Sequence, residues 1–86
     1  MATAGIRPQL TIYSRTDCHL CDDMISGLHE LQARFRFDLE VIDVDRHPAL
    51  ETRYGEDVPV LVHGGRELCR HRLNIAFITD YLADFR

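Results

Sequence analysis

The stretch IYSRTDCHLC, Ile12–Cys21, decides how the rest of the chain is read. It runs from an apolar, β-prone segment into two cysteines separated by two residues. Just upstream, QLTIYS (Gln9–Ser14) has the β-branched and aromatic content of a strand and is followed by a polar turn cluster. Downstream, Cys21, Met24, Ile25, Leu28, Leu31 and Phe35 recur at steps of three and four. That spacing predicts one apolar face of a helix running from Cys18 to about Arg34, with Thr16 or Asp17 as its cap. Gly27 inside this helix costs about 1 kcal/mol against alanine, a cost that close packing at that position would justify.

Working outward, FDLEVIDVD (Phe37–Asp45) alternates as a second strand, with Leu39, Val41 and Val44 set against Glu40 and Asp43. HPALETRYG places Pro48 near the start and Gly55 near the end of a short helix. VPVLVH (Val58–His63) reads as a buried strand, Gly64-Gly65 as a hairpin turn and RELCR as the returning strand. Asn74 caps a last helix with Ile75, Ile78, Leu82 and Phe85 on one face. The order βαβαββα predicts an α/β fold. Its first two strands should be parallel across a right-handed crossover, and its last two an antiparallel hairpin, in a mixed four-stranded sheet flanked by helices. The whole chain, 1–86, reads as one domain, with residues 1–8 a loose tail.

Eighty-six residues allow one small core, and a hydrophobic fraction of 45% argues against disorder. A net charge of −4 with scattered arginines disfavours nucleic acid as a partner. All ten basic side chains are arginine, which rules out lysine-based Schiff-base chemistry. No apolar run reaches the roughly 20 residues of a membrane span, and MATAGIRPQ lacks the apolar core of a secretory signal. The expectation is a cytoplasmic monomer. In that compartment three cysteines do not make a disulfide framework, and Cys-x-x-Cys points to redox or metal chemistry.

A thiol at a helix N-terminus meets unpaired backbone N–H groups and the positive end of the helix dipole, which favour the thiolate. Cys18 is predicted at that spot, with Cys21 one turn on along the core face. The pair suits a two-step exchange in which Cys18 attacks a disulfide and Cys21 resolves the mixed disulfide. Arg15 and a protonated His19 would add to the acidity of Cys18, whereas Asp17 and Asp22 would oppose it. Two alternatives remain open at this level. Cys18 and Cys21 together with Cys69 and His71 could form a Cys₃His zinc site, although Cys-x-His is tighter than the usual ligand spacing. The two cysteines could also be incidental core residues, which explains Cys21 better than Cys18. His29, His47 and His63 occur singly, none with a partner at metal-ligand spacing.

From Gln9 to the last helix the chain resembles the thioredoxin fold in its minimal, glutaredoxin-like form, as found in small bacterial glutaredoxin-like proteins. IYSRTDCHLC resembles the glutaredoxin opening, in which a strand ending in Tyr-Ser or Tyr-Thr precedes the active-site cysteines. DVPVL (Asp57–Leu61) resembles the family's Thr-Val-Pro segment. The resemblance implies a thiol–disulfide oxidoreductase with catalytic Cys18 and Cys21, and a substrate site formed by Arg15, His19, Leu20, Asp57, Val58 and Pro59. It also implies a cis Val58–Pro59 peptide, with the Val58 backbone pairing to the bound thiol peptide. No bound cofactor or metal is implied, since the cysteine pair carries the electrons. The implied partners are protein disulfides and a reductant, either glutathione or a thioredoxin-reductase system.

Three departures qualify the likeness. Arg15 replaces the usual lysine. His19-Leu20 replaces Pro-Tyr between the cysteines. LCRHRLN stands where the family has the Gly-Gly-x-Asp segment that holds the γ-glutamyl end of glutathione, so Arg70, His71 and Arg72 offer charge there or form a solvated rim. Cys69 reads as a small apolar sheet residue, with a third redox thiol as the sharper alternative. A function of another class is a non-catalytic module that carries a metal or cluster on Cys18 and Cys21, or presents the edge near Pro59 to a protein partner.

Overall fold

The strand- and turn-forming segments fold in the expected order in a computed structural model that describes residues 7–85. Strand β1 (Gln9–Ser14) leads to helix α1 (His19–Leu31), β2 (Asp38–Asp43) and a 3₁₀ turn at Val44–Arg46. Helix α2 (Pro48–Tyr54), strands β3 (Val60–His63) and β4 (Arg66–Arg70), and helix α3 (Ile75–Ala83) follow. The sheet order is β2-β1-β3-β4. β1 and β2 are parallel, whereas β3 runs antiparallel to both β1 and β4.

Alternation in β1 separates two faces. Leu10 and Ile12 join Leu61, Met24, Leu28, Ile78 and Leu82 in a core built on α1 and α3. Each such aliphatic side chain, fully withdrawn from water, contributes about 1.5–3 kcal/mol. Tyr13 points the other way and stacks on Tyr54 of α2, ring centroids 4.4 Å apart. Helices therefore cover both faces of the sheet. Gly64 and Gly65 both have positive φ, 57° and 82°, as a two-residue hairpin turn of this hand requires. In β4 the pairing steps from Cys69 opposite Leu61 to Glu67 opposite Val62, leaving Leu68 as the extra residue of a bulge. The bulge lets neighbouring residues Leu68 and Cys69 both reach the core.

Several boundaries differ from the sequence reading. Helix α1 ends at Leu31 because the next residues tighten, Ala33 N–H bonding to Glu30 O and Arg34 N–H to Leu31 O. β2 stops at Asp43, whose carboxylate accepts the Asp45 N–H at 2.9 Å and starts the 3₁₀ turn. Val41, expected on the core face, is 48% exposed, because β2 is an edge strand. On the opposite face of that edge strand Asp38 and Glu40 expose carboxylates, with Arg7 against Asp38. Ile75 and Phe85 are likewise exposed, and Phe77 and Tyr81 take the core-facing places instead. The expected loose tail 1–8 falls mostly outside the described residues. Pro8, within them, is buried and its carbonyl accepts the Asp38 N–H.

Candidate functional site

Helix α1 begins where the chain leaves β1, and Cys18 itself is the cap. Its backbone is extended (φ −112°, ψ 103°) and its Sγ accepts the Cys21 N–H at 3.2 Å. The expected caps do other work. Thr16 donates its hydroxyl to Asp43 at 3.3 Å, and Asp17 takes the left-handed turn (φ 59°) that swings Cys18 onto the helix end. Aspartate is among the few residues that tolerate that conformation. Cys18 is half-buried and Cys21 buried, as the position of each on the helix dictates. The two are joined in a disulfide, Cα–Cα 5.2 Å.

Arg15 fixes the loop ahead of Cys18. Its guanidinium donates to both oxygens of Asp45 (2.7 and 3.3 Å), to the Gly55 carbonyl (2.9 Å) and to Glu51 (3.4 Å). The hydrogen bonds to Asp45, with its charge and that of Glu51, raise the Arg15 pKa further. Gly55 is required by close approach: a Cβ there would lie 2.5 Å from Glu51 O and 3.3 Å from Arg15 Nη2. A side chain expected in the substrate site is thus engaged by two carboxylates of its own chain.

Tyr13 pairs with Val60, so Pro59 lies at the end of the sheet from which the cysteine loop departs. The Val58–Pro59 peptide is cis. Asp57, just before it, is ion-paired to Arg70 at 3.1 Å, and Arg70 also forks onto Glu67 with two 2.7 Å hydrogen bonds. These carboxylates raise the Arg70 pKa, and the hydrogen bond from Arg70 lowers that of Glu67. The Pro59 carbonyl accepts the His71 N–H at 2.7 Å, and His71 is left-handed (φ 68°). The loop where the resemblance implies glycines thus has a glycine-like backbone on a histidine.

That loop is pressed against α1. A Cβ on Gly27 would sit 2.7 Å from Leu73 Cδ2, so the glycine admits Leu73 to the helix surface. Between them lies a cleft of about 250 Å³ lined by Leu20, Asp23, Met24, His71, Arg72 and Leu73. Leu20, one of the lining residues, stands between the two cysteines in the chain, and neither cysteine lines the cleft itself. His19 is exposed and lies 3.7 Å from Asp23. Cys69 is half-buried; burial, and secondarily the Glu67 charge, push its thiol pKa up against the Asn74 backbone hydrogen bond. Cys69 and His71 do not complete the four-ligand alternative. Among the described residues no group of three or more His, Cys, Asp or Glu side chains gathers as metal ligands.

Sequence reading did not find the Arg15 clamp or the cleft, both of which join residues far apart in the chain. The one local signal for the cleft was Gly27 inside a helix.

No helix among the described residues is long and apolar enough to cross a membrane. Residues 9–83 match the family described as Glutaredoxin-like domain (DUF836). A Nitrosomonas europaea protein solved by NMR in solution superposes with TM-score 0.81 at 38% identity, covering 95% of this chain and 99% of that one. An X. campestris protein solved by X-ray superposes at 0.71 with 33% identity, covering 90% and 99%. An uncharacterised Mycobacterium tuberculosis protein is 35% identical over 66 residues, 71% of this chain and 68% of its own. Thioredoxin 1 of Thermosipho africanus, at 24% identity, TM-score 0.60 and coverage of 87% and 94%, shares the fold. With a thioredoxin-like sheet, a disulfide-bonded Cys18–Cys21 pair at the head of α1 and this match over nearly all its length, the chain belongs to the glutaredoxin-like domain family.

Proposed function

We propose that this protein is a thiol–disulfide oxidoreductase whose working groups are Cys18 and Cys21. The observation that carries this reading is the position of Cys18: helix cap, half-buried, accepting an amide hydrogen bond and bonded to Cys21. An amide donor and a helix N-terminus stabilise a sulfur anion, so the same geometry favours the Cys18 thiolate once the pair is reduced.

The reaction runs in two exchanges. The Cys18 thiolate attacks one sulfur of a substrate disulfide; a Cys18–substrate bond forms, the substrate bond breaks, and the second substrate sulfur leaves as a thiolate that takes up a proton. Cys21, losing its proton, then attacks Cys18 Sγ, restoring the Cys18–Cys21 disulfide and releasing the first substrate sulfur. Two electrons pass from the dithiol to the substrate. Glutathione or a thioredoxin-reductase system returns them, and the cysteine pair needs no bound cofactor. Protein disulfides met in the cytoplasm are the substrates, and the chain works as a monomer. Val58, with Pro59 and Asp57 beside it, offers its backbone to the bound peptide. His19 and Leu20 line the approach to the cysteines. Arg15 serves by holding the loop rather than by meeting a ligand carboxylate.

Redox titration against glutathione buffers, read by mass, tests this. A loss of two hydrogens across the titration is expected. Cys18→Ser should abolish disulfide-reducing turnover and Cys21→Ser should accumulate a mixed disulfide. Full turnover by Cys18→Ser overturns the mechanism.

A further inference from the structure

The cleft that α1 opens at Leu20, the residue before Cys21, has two chemically distinct walls. One wall is the β4–α3 loop, held by the His71–Pro59 hydrogen bond and by Leu73 seated over Gly27. The other wall is α1, with Leu20, Asp23 and Met24. Half of the lining is apolar, and exposed Ile75 follows two residues after Leu73. The charges on the two walls are not equivalent. Asp23 puts a carboxylate on the α1 wall, 3.7 Å from the exposed His19 ring, and Arg70 is consumed by Glu67 and Asp57. Arg72 lines the cleft with no ion-pair partner among the described residues. At about 250 Å³ the cleft is smaller than the roughly 300–1,000 Å³ of whole small-molecule sites. It has room for one or two side chains, and its apolar half asks for an apolar one.

We propose that this cleft makes the enzyme selective for protein disulfides in which the reacting cysteine lies between an apolar and an acidic residue. The apolar side chain rests on Leu20, Met24 and Leu73, and the acidic one meets Arg72. Asp23 on the facing wall repels an acidic group placed there and so fixes the direction in which the polypeptide lies. The proposal rests on the thiol–disulfide reading for its purpose, but the binding it describes can be measured without turnover.

The test uses the full oxidised chain and two short peptides. Both carry leucine followed by serine in place of the reacting cysteine; the next residue is aspartate in one and lysine in the other. Backbone amide shifts are followed by NMR titration. An attraction exchanged for a repulsion, each of the size typical of exposed pairs, gives about a tenfold preference for the aspartate peptide. The shifts should centre on residues 20–24 and 71–73. Arg72→Glu should reverse the preference and Arg72→Lys should keep its sign. Equal affinities, or a preference that survives Arg72→Glu, overturn the proposal. So does S-methylglutathione if it shifts the same amides more strongly at equal concentration. Cysteine versions of the peptides then separate the two readings. A binding preference without turnover supports the cleft and defeats the exchange chemistry; turnover without preference does the reverse.

Discussion

Replacing Gly27 by alanine sets two effects of similar size against each other. In an open helix the change stabilises by about 1 kcal/mol, because glycine surrenders more backbone freedom on folding. Here the new Cβ would stand 2.7 Å from Leu73 Cδ2, and ordinary contact begins at 3.4 Å, so Leu73 must yield by about 0.7 Å. Crowding of that kind costs about 1–3 kcal/mol. The low end applies, since the atom in the way is the tip of a half-buried side chain beside an open cleft. Gly27→Ala alone should therefore leave stability unchanged or lower it by up to about 1 kcal/mol. In a Leu73→Ala background the obstacle is gone and the same change should stabilise by the full amount, about 1 kcal/mol. The coupling across this double-mutant cycle is then about 1–2 kcal/mol. Urea unfolding of the four oxidised proteins measures it, with the slope expected to stay constant. A gain of about 1 kcal/mol from Gly27→Ala in both backgrounds would show that the loop does not rest on the helix.

In the reduced protein, Cys18→Ser should keep the cap and Cys18→Ala should lose about 1 kcal/mol by urea unfolding, while neither turns over; equal stabilities would refute the capping role. Asn74, whose side chain accepts the Phe77 N–H at 3.0 Å, caps α3, and Asn74→Ala should cost about 1 kcal/mol in the same assay. Burial raises the Cys69 pKa, so its neutral thiol is favoured in the folded state. The stability this confers is fully present below the ordinary thiol pKa and is lost as pH rises toward the folded value, a decline that Cys69→Ala should flatten above about pH 8. In alkylation of the reduced protein near neutral pH, Cys69 should accordingly react more slowly than Cys18, as peptide mass mapping would show.

What could be read in advance was what neighbouring residues dictate. The step from β1 to α1, Pro48 at a helix start, the Gly64-Gly65 turn and the Asn74 cap all depend on side chains within a few positions. What was not legible depends on tertiary placement. Val41 alternates as a core residue should, yet β2 lies at the sheet edge, where that face is open to water. Arg15 carries the expected charge, but its partners Asp45 and Glu51 are thirty and thirty-six residues away, and folding brings them to the guanidinium before any ligand arrives. Position 71 carries a left-handed turn that glycine would take more readily, and no local pattern marks a histidine for it. The sequence points to Thr16 or Asp17 as the cap of α1, and the left-handed turn at Asp17 gives that place to Cys18 instead.

The acidic rim of β2 bears on how the protein behaves when crowded. An outermost strand with unpaired amides invites another copy to zip alongside it, the first step toward insoluble fibres. Two molecules approaching through this strand would bring the exposed carboxylates of Asp38 and Glu40, which share one face of it, toward those of the other copy, so like charge fends off self-templating at the margin where Val41 would otherwise be adhesive.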